Sequence, residues 1–124
     1  MPEADELPDH LMNAMDPRLL DLVRTRLTSF VQWDLVRFFN EHPQITDTAE
    51  NIARYTGRDL RVVELELMKL ARQNIVEAEM LTGLRVYTLS DDPAVRRLIA
   101  DFIEACRDPR FCIRATYHVI ANLH

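Results

Sequence analysis

The sequence predicts a mainly α-helical domain with a small β-hairpin, which is an α+β fold. Apolar residues recur at helical spacing along most of the chain, and capping residues or helix breakers bound these runs. One stretch alternates apolar and polar residues at the period of a strand and is followed by a turn that contains glycine. The chain has only 2 glycines among 124 residues, and this scarcity argues against a turn-rich β fold.

Capping and breaking residues place the individual elements. Asp16, Ser29 and Asp59 precede apolar runs and can accept hydrogen bonds from the first free N–H groups of a helix. Gly57 and Asn74 follow such runs, where a left-handed residue ends a helix. The predicted elements are a helix from Pro17 to about 27, a helix over 30–41, an extended stretch over 44–46, a helix over 48–56 capped by Asp47, a helix over 60–74, strands over 75–80 and 84–89 joined through Thr82-Gly83, a helix from Pro93 to about 106 and a helix over 109–122.

The acidic excess of the chain lies in its first 17 residues. The formal net charge is −5, with 20 acidic and 15 basic residues. Since five of the acids precede residue 18, residues 18–124 are formally neutral. Those acids are Glu3, Asp5, Glu6, Asp9 and Asp16. We interpret residues 1–17 as a disordered tail, because this composition buries too little apolar surface to order itself. Residues 18–124 are predicted to form a single domain.

The last predicted helix is apolar on almost every side, so we expect it to be packed on most sides. Its apolar residues are Phe111, Cys112, Ile113, Ala115, Tyr117, Val119 and Ile120.

The order of helix, short strand, short helix, turn, helix and hairpin resembles a winged helix-turn-helix domain of the ArsR and MarR groups of bacterial transcription regulators. The resemblance covers residues 29–89 and is best over 47–77. The residues that occupy the family's pattern are Ile52, Ala53, Gly57, Asp59, Val63, Leu67, Leu70, Asn74, Ile75 and Val76. It implies a winged helix-turn-helix with extra N-terminal and C-terminal helices, over 18–28 and 91–124, that form a homodimer interface. It also implies a transcription regulator that binds duplex DNA. Separately, the sequence has no basic segment followed by an apolar segment near its start, as a secretory signal would have, so we expect a cytoplasmic protein.

In a DNA-binding winged helix, the third core helix enters the major groove and presents polar or basic side chains. Arg58, Arg61 and Arg85 are the candidates for phosphate contacts, and Arg61 is the best candidate for reading a base. Glu77 and Glu79 on the hairpin oppose phosphate binding. We therefore expect weak or atypical DNA binding, since duplex binding needs several basic contacts.

Helical spacing directs Val63, Leu67 and Leu70 into the core and leaves a mostly apolar and acidic outer face. That face carries Leu60, Arg61, Glu64, Leu65 and Met68. An exposed apolar patch often marks a protein contact. The alternative hypothesis is therefore a winged-helix protein-interaction module that has lost DNA reading and binds through Leu60, Glu64, Leu65 and Met68. A third interpretation is that the C-terminal helices or the acidic tail cover this patch.

Other candidate sites have simpler structural interpretations. Cys106 and Cys112 flank a predicted helix break and form either a redox pair or two inert small hydrophobes. Five aromatic residues line either a pocket for an aromatic ligand or the core and dimer interface. They are Phe30, Trp33, Phe102, Phe111 and Tyr117.

No phosphate-binding glycine loop, zinc motif or catalytic set is present in the sequence. We expect no cofactor, no metal and no enzymatic activity. The chain also has no apolar run long enough to cross a membrane. The sequence identifies neither an operator, nor an effector, nor a protein partner.

Overall fold

The computed structural model describes residues 16–123, so the predicted tail lies outside the described residues except for Asp16 and Pro17. Over this range the fold is mainly helical, with one three-stranded antiparallel sheet. The elements are α1 (Pro17–Asp21), a π-helical segment (Leu22–Arg26), α2 (Phe30–Glu41), β1 (Thr46–Thr48), α3 (Ala49–Thr56), α4 (Leu60–Arg72), β2 (Val76–Leu81), β3 (Leu84–Leu89), α5 (Pro93–Ala105) and α6 (Pro109–Asn122). This is the predicted α+β fold, a winged helix-turn-helix with additional N-terminal and C-terminal helices.

Three of the four predicted N-terminal helix caps are confirmed. The Asp16 carboxylate accepts a hydrogen bond from the Arg18 backbone N–H at 2.9 Å, and the Ser29 hydroxyl accepts one from the Gln32 N–H at 3.1 Å. Asp59 accepts from the first free N–H groups of α4. Each of these side chains satisfies a donor that the helix itself leaves without a partner.

The cap of α3 differs from the prediction by one residue. The Thr48 hydroxyl, and not the Asp47 carboxylate, accepts the hydrogen bond from the Asn51 backbone N–H at 3.2 Å. Asp47 instead accepts from the side-chain amide of Asn51 at 2.8 Å. Both residues are good caps, and the cap is Thr48 because the helix begins at Ala49, directly after it.

Strand β1 is shifted by two residues from the predicted 44–46, because its position is set by pairing with β3. Thr46 lies opposite Thr88 and Thr48 lies opposite Val86. Strand β2 pairs with the other edge of β3, which gives the order β1-β3-β2. The β2–β3 hairpin, hereafter the wing, turns through Thr82 and Gly83 with φ of 51° and 82°. Two positive φ values in succession are the geometry of a type I′ turn.

A single hydrophobic core joins the winged helix to the flanking helices. The inward side chains of α4 are fully buried, as their spacing predicts. Large side chains from both regions share this core. Among them are Leu22, Leu35, Phe39, Ile52, Val63, Leu67, Leu70, Ile99 and Phe102. None of the helices within residues 16–123 has the length and apolarity to span a bilayer.

The C-terminal helix α6 packs on the π-helical segment through a specific polar contact. The side-chain amide of Asn122 donates to the carbonyl oxygens of Val23 and Arg24, each at 3.1 Å. The sequence pattern predicts an ordinary helix here and gives no sign of a π-helical turn. The two carbonyl contacts attach the end of α6 to the beginning of the domain.

Candidate functional site

The outer face of α4, defined by Leu60, Arg61, Glu64, Leu65 and Met68, is exposed along its length. Leu65 is 51% exposed, which is high for a large aliphatic side chain. These exposures hold with α5 and α6 in place. The interpretation that the C-terminal helices cover the patch is therefore wrong. The acidic tail, the other segment that was expected to cover it, lies outside the described residues.

The wing lies beside this face and forms a groove with it. Glu64 and Met68 of α4 line one side, and Leu84 and Arg85 of β3 line the other. Glu50, in the first turn of α3, also lines the groove. Arg85 thus shares the groove with two carboxylates, so the groove carries charges of both signs.

The tip of the wing also carries exposed apolar side chains. Met80, Leu81 and Leu84 are each more than half exposed. The type I′ turn places Leu81 directly opposite Leu84 in the strand register. Cross-strand apolar pairs stabilise a hairpin, yet here the pair has no covering layer from the described residues.

The three candidate arginines differ in how available they are. Arg58 is engaged by Asp34 of α2, since its Nε donates to Asp34 Oδ2 at 2.9 Å and its terminal nitrogen contacts the same oxygen. Asp34 is 24 residues from Arg58, and the sequence analysis missed it. Within the described residues, no ion pair engages Arg61 or Arg85. These two guanidinium groups remain available to an external anion.

A buried polar contact fixes the orientation of α4. The Gln32 side-chain amide of α2 donates to Glu66 Oε2 at 2.6 Å, and both residues are buried. Gln32 also accepts from the Thr28 N–H at 3.0 Å, and Lys69 Nζ lies 3.5 Å from Glu66 Oε1. A buried carboxylate that lost its partner would carry the full cost of its desolvation. The contact therefore favours one rotational setting of α4 and hence one outer face.

A second exposed apolar surface lies on α6, where the sequence predicts packing on most sides. That expectation is wrong for the single chain, since only Ala115 and Val119 of this helix are buried. We call the exposed side the α6 face. It consists of Ile113, Tyr117 and Ile120, with Leu123 just after the helix, and these residues are between 46% and 66% exposed.

The two cysteines are free thiols and are half-buried among apolar side chains. Burial raises the pKa of the Cys106 thiol to about 12, and the neighbouring Cys112 contributes to the same shift. Because the thiolate is the reactive form, Cys106 remains protonated near neutral pH. The chemistry of Cys106 supports the interpretation as a small apolar residue.

Four of the five candidate aromatic residues form a packed row. The ring centroids of Phe30 and Trp33 are 6.1 Å apart, those of Trp33 and Phe102 are 5.2 Å apart, and those of Phe102 and Phe111 are 6.0 Å apart. Tyr117 does not join the row and lies on the exposed α6 face. The row packs α2 against α5 and α6, and its Phe30 end borders a surface cleft.

Over residues 16–123, no group of three or more His, Cys, Asp or Glu side chains is placed to hold a metal ion.

No family model matches the chain, and no curated protein matches it. Among solved structures, the chain is similar to a protein from Methanosarcina mazei Go1 that is named as a possible transcriptional regulator. The two share 13% sequence identity over 88% of each chain, with a TM-score of 0.43.

Proposed function

We propose that the chain is a homodimeric winged-helix protein of the transcription-regulator type that binds duplex DNA weakly. The observation that supports this best is the exposed α4, which lies between α3 and the wing and is flanked by the available cations Arg61 and Arg85. In a winged helix of this type, the helix after the turn enters the major groove and the wing contacts the adjacent backbone.

The charge on this surface explains why binding is expected to be weak. Two available arginines in each protomer give four phosphate contacts in a dimer. Each phosphate contact contributes about −0.9 to the slope of log affinity against log salt concentration, so four contacts give a slope of roughly −4. Glu64 lines the groove together with Arg85, and Glu77 and Glu79 lie on strand β2 of the wing. These carboxylates oppose the phosphate backbone. Binding of this kind is observable at low ionic strength and is lost as salt is raised.

The test is duplex binding measured by fluorescence anisotropy over a range of salt concentrations. Replacing Arg61 and Arg85 together by alanine is expected to flatten the salt slope by several units and to weaken binding at low salt. Arg107→Ala is the matched control, because Arg107 is an exposed arginine at the end of α5. Absence of binding at low salt, or an unchanged slope in the double variant, would overturn the DNA-binding proposal.

The proposed homodimer rests on the α6 face. Its residues follow one another at helical spacing and form a stripe along one side of α6. A second copy of the same stripe covers it through a two-fold axis, which is the commonest symmetry of protein oligomers. Such pairing removes large apolar side chains from water, and their size and continuity are typical of interfaces. The corresponding test is developed in the Discussion.

A second candidate function is binding of a protein partner through the outer face of α4 and the wing. The observation that favours it is the exposed apolar surface formed by Leu60, Leu65 and Met68, which has no hydrogen-bond donors for base edges. Leu65→Glu is expected to abolish capture of a cross-linked partner, and Ala100→Glu adds the same charge to an exposed position of α5 as the control. Capture that survives Leu65→Glu would exclude this surface.

A further inference from the structure

Strand β2 of the wing lies at an edge of the sheet. The order β1-β3-β2 places β3 on one side of β2, and no strand of the described residues lies on the other side. The side chains from Glu77 to Leu81 are all exposed with the rest of residues 16–123 in place. An uncovered edge strand presents a row of backbone N–H and C=O groups to which another strand can add.

The register of the wing identifies which of these backbone groups point outward. The residues that flank the two-residue turn exchange hydrogen bonds with each other, and so does every second pair from there. The Ser90 N–H donates to the Ile75 carbonyl oxygen at 3.0 Å, and Ile75 lies an even number of residues before Leu81, which agrees with this alternation. The N–H and C=O groups of Ala78 and Met80 therefore point away from β3.

The side chains of β2 alternate between the two faces of the wing. Glu77, Glu79 and Leu81 share one face, whereas Met80 and its cross-strand neighbour Arg85 lie on the other. Over residues 16–123, neither glutamate takes part in an ion pair. One face of this edge thus carries two exposed carboxylates followed, at the tip, by an apolar side chain.

The charge of this edge determines which strand can add to it. A second copy of β2, paired in antiparallel order about a two-fold axis at Ala78, would set Glu77 opposite Glu79 twice. An axis at either glutamate would set that glutamate opposite its own copy. Like charges in directly opposite positions are destabilising. Residues 1–15 contain no Lys or Arg, so they do not supply a complementary strand. The complementary strand is an extended segment of another protein with basic residues at alternate positions.

We propose that β2 binds an extended basic segment of another protein by antiparallel strand addition. The backbone groups of Ala78 and Met80 form the hydrogen bonds. Glu77 and Glu79 then occupy positions without hydrogen bonds to the partner, where opposite side chains lie closest. Two Lys or Arg side chains of the partner, two residues apart, pair with these glutamates, and an apolar side chain packs on Leu81. The proposal rests neither on DNA binding nor on dimerisation, and it concerns the edge of the wing rather than the outer face of α4.

The probe is the peptide Val-Thr-Lys-Val-Lys-Thr, acetylated and amidated at its ends. In antiparallel register its lysines lie opposite Glu79 and Glu77, and its second valine lies opposite Ala78. Backbone amide NMR of the full chain is expected to show saturable shifts that are largest at Ala78 and Met80, with a Kd on the order of 1 mM or tighter at low ionic strength. Replacing both lysines of the peptide by glutamate is expected to weaken binding at least tenfold.

Three further peptides separate strand addition from simple attraction between charges. The peptide Lys-Lys-Val-Val-Thr-Thr has the same charge but places its lysines on opposite faces, so it is expected to bind at least tenfold more weakly. Methylation of the backbone nitrogen of the second valine removes a donor that faces β2 and is expected to have the same effect. Methylation at the first lysine is the matched control, because that N–H points away from β2 and its loss leaves binding unchanged.

Variants of the protein test the same contacts from the other side. Glu77→Lys combined with Glu79→Lys is expected to reverse the preference, so that the glutamate peptide binds and the lysine peptide does not. Asp91→Lys combined with Glu104→Lys makes the same change of charge at exposed positions outside the wing and should keep the preference of the parent protein. Ala78→Pro removes an outward N–H and no β2–β3 hydrogen bond, so it should fold and lose the lysine peptide. Circular dichroism verifies that each variant is folded.

The proposal is overturned if the lysine peptide produces no shifts at low ionic strength, or if its shifts lie away from β2. It is equally overturned if the rearranged peptide or the peptide methylated at valine binds as tightly as the probe. A doubly charge-reversed wing that still prefers the lysine peptide would also overturn it.

Discussion

Replacing Ile113 by Glu is expected to separate the proposed homodimer into folded monomers. Ile113 is 64% exposed in the single chain, so about two thirds of its side chain remains to be buried by a second copy. Full burial of an isoleucine contributes about 1.5–3 kcal/mol, so this fraction contributes about 1–2 kcal/mol. Two-fold symmetry doubles the contribution to about 2–4 kcal/mol, and a buried carboxylate adds a further penalty.

The expected result is a dimer dissociation constant raised by a factor of roughly 30 to 1,000. Sedimentation equilibrium over a range of protein concentrations measures it. Leu81→Glu is the control, because Leu81 is similarly exposed but lies on the wing. The thermal unfolding of dilute Ile113→Glu should match that of the dilute parent protein, since the residue is not part of the monomer core. A parent protein that is monomeric at high concentration would refute the reasoning, as would an Ile113→Glu variant that dimerises normally.

Three further predictions concern single residues. Gly57→Ala is expected to lower the free energy of unfolding by about 1 kcal/mol, because Gly57 has a φ of 69°; an unchanged urea midpoint would contradict this. In a Cys112→Ala variant, Cys106 should react slowly with a thiol reagent at neutral pH while the protein is folded, because burial raises the pKa of the Cys106 thiol to about 12. The same thiol should react rapidly in urea. Fast labelling of the folded protein would contradict this prediction. Burial and two nearby arginines lower the pKa of His118 below its ordinary 6.5, so the unfolded chain binds more protons and stability falls as the pH drops below 6.5. His118→Gln should flatten that pH dependence of unfolding, and an equally steep dependence would contradict the assignment.

The features that the sequence predicts well are those encoded by neighbouring residues. The inward face of α4 follows from the spacing of Val63, Leu67 and Leu70, and all three are fully buried. The wing follows from two strand-like runs on either side of Thr82-Gly83. In both cases the period of the apolar pattern is the physical cause of the structure.

The features that the sequence does not reveal depend on contacts between distant residues. Asp34 engages Arg58 from 24 residues away and Gln32 donates to Glu66 from 34 residues away. Nothing in the local pattern distinguishes Asp34 from an ordinary surface residue of α2. Gln32 fits the third helical position of a capping box that begins at Ser29, but that position does not predict its contact with Glu66. The same reason accounts for β1, since its position depends on a strand about 40 residues further along the chain.

The π-helical segment depends on the hydrogen bonds that the Asn122 side chain donates to it. A π-helical turn is rare as an isolated structure, and two of its carbonyl groups find their side-chain donor on a helix about 100 residues away. The segment and α6 should therefore open and close as one cooperative unit in amide hydrogen exchange. Because the proposed interface lies on the other side of α6, formation of the dimer would also slow exchange in a part of the chain that it never contacts.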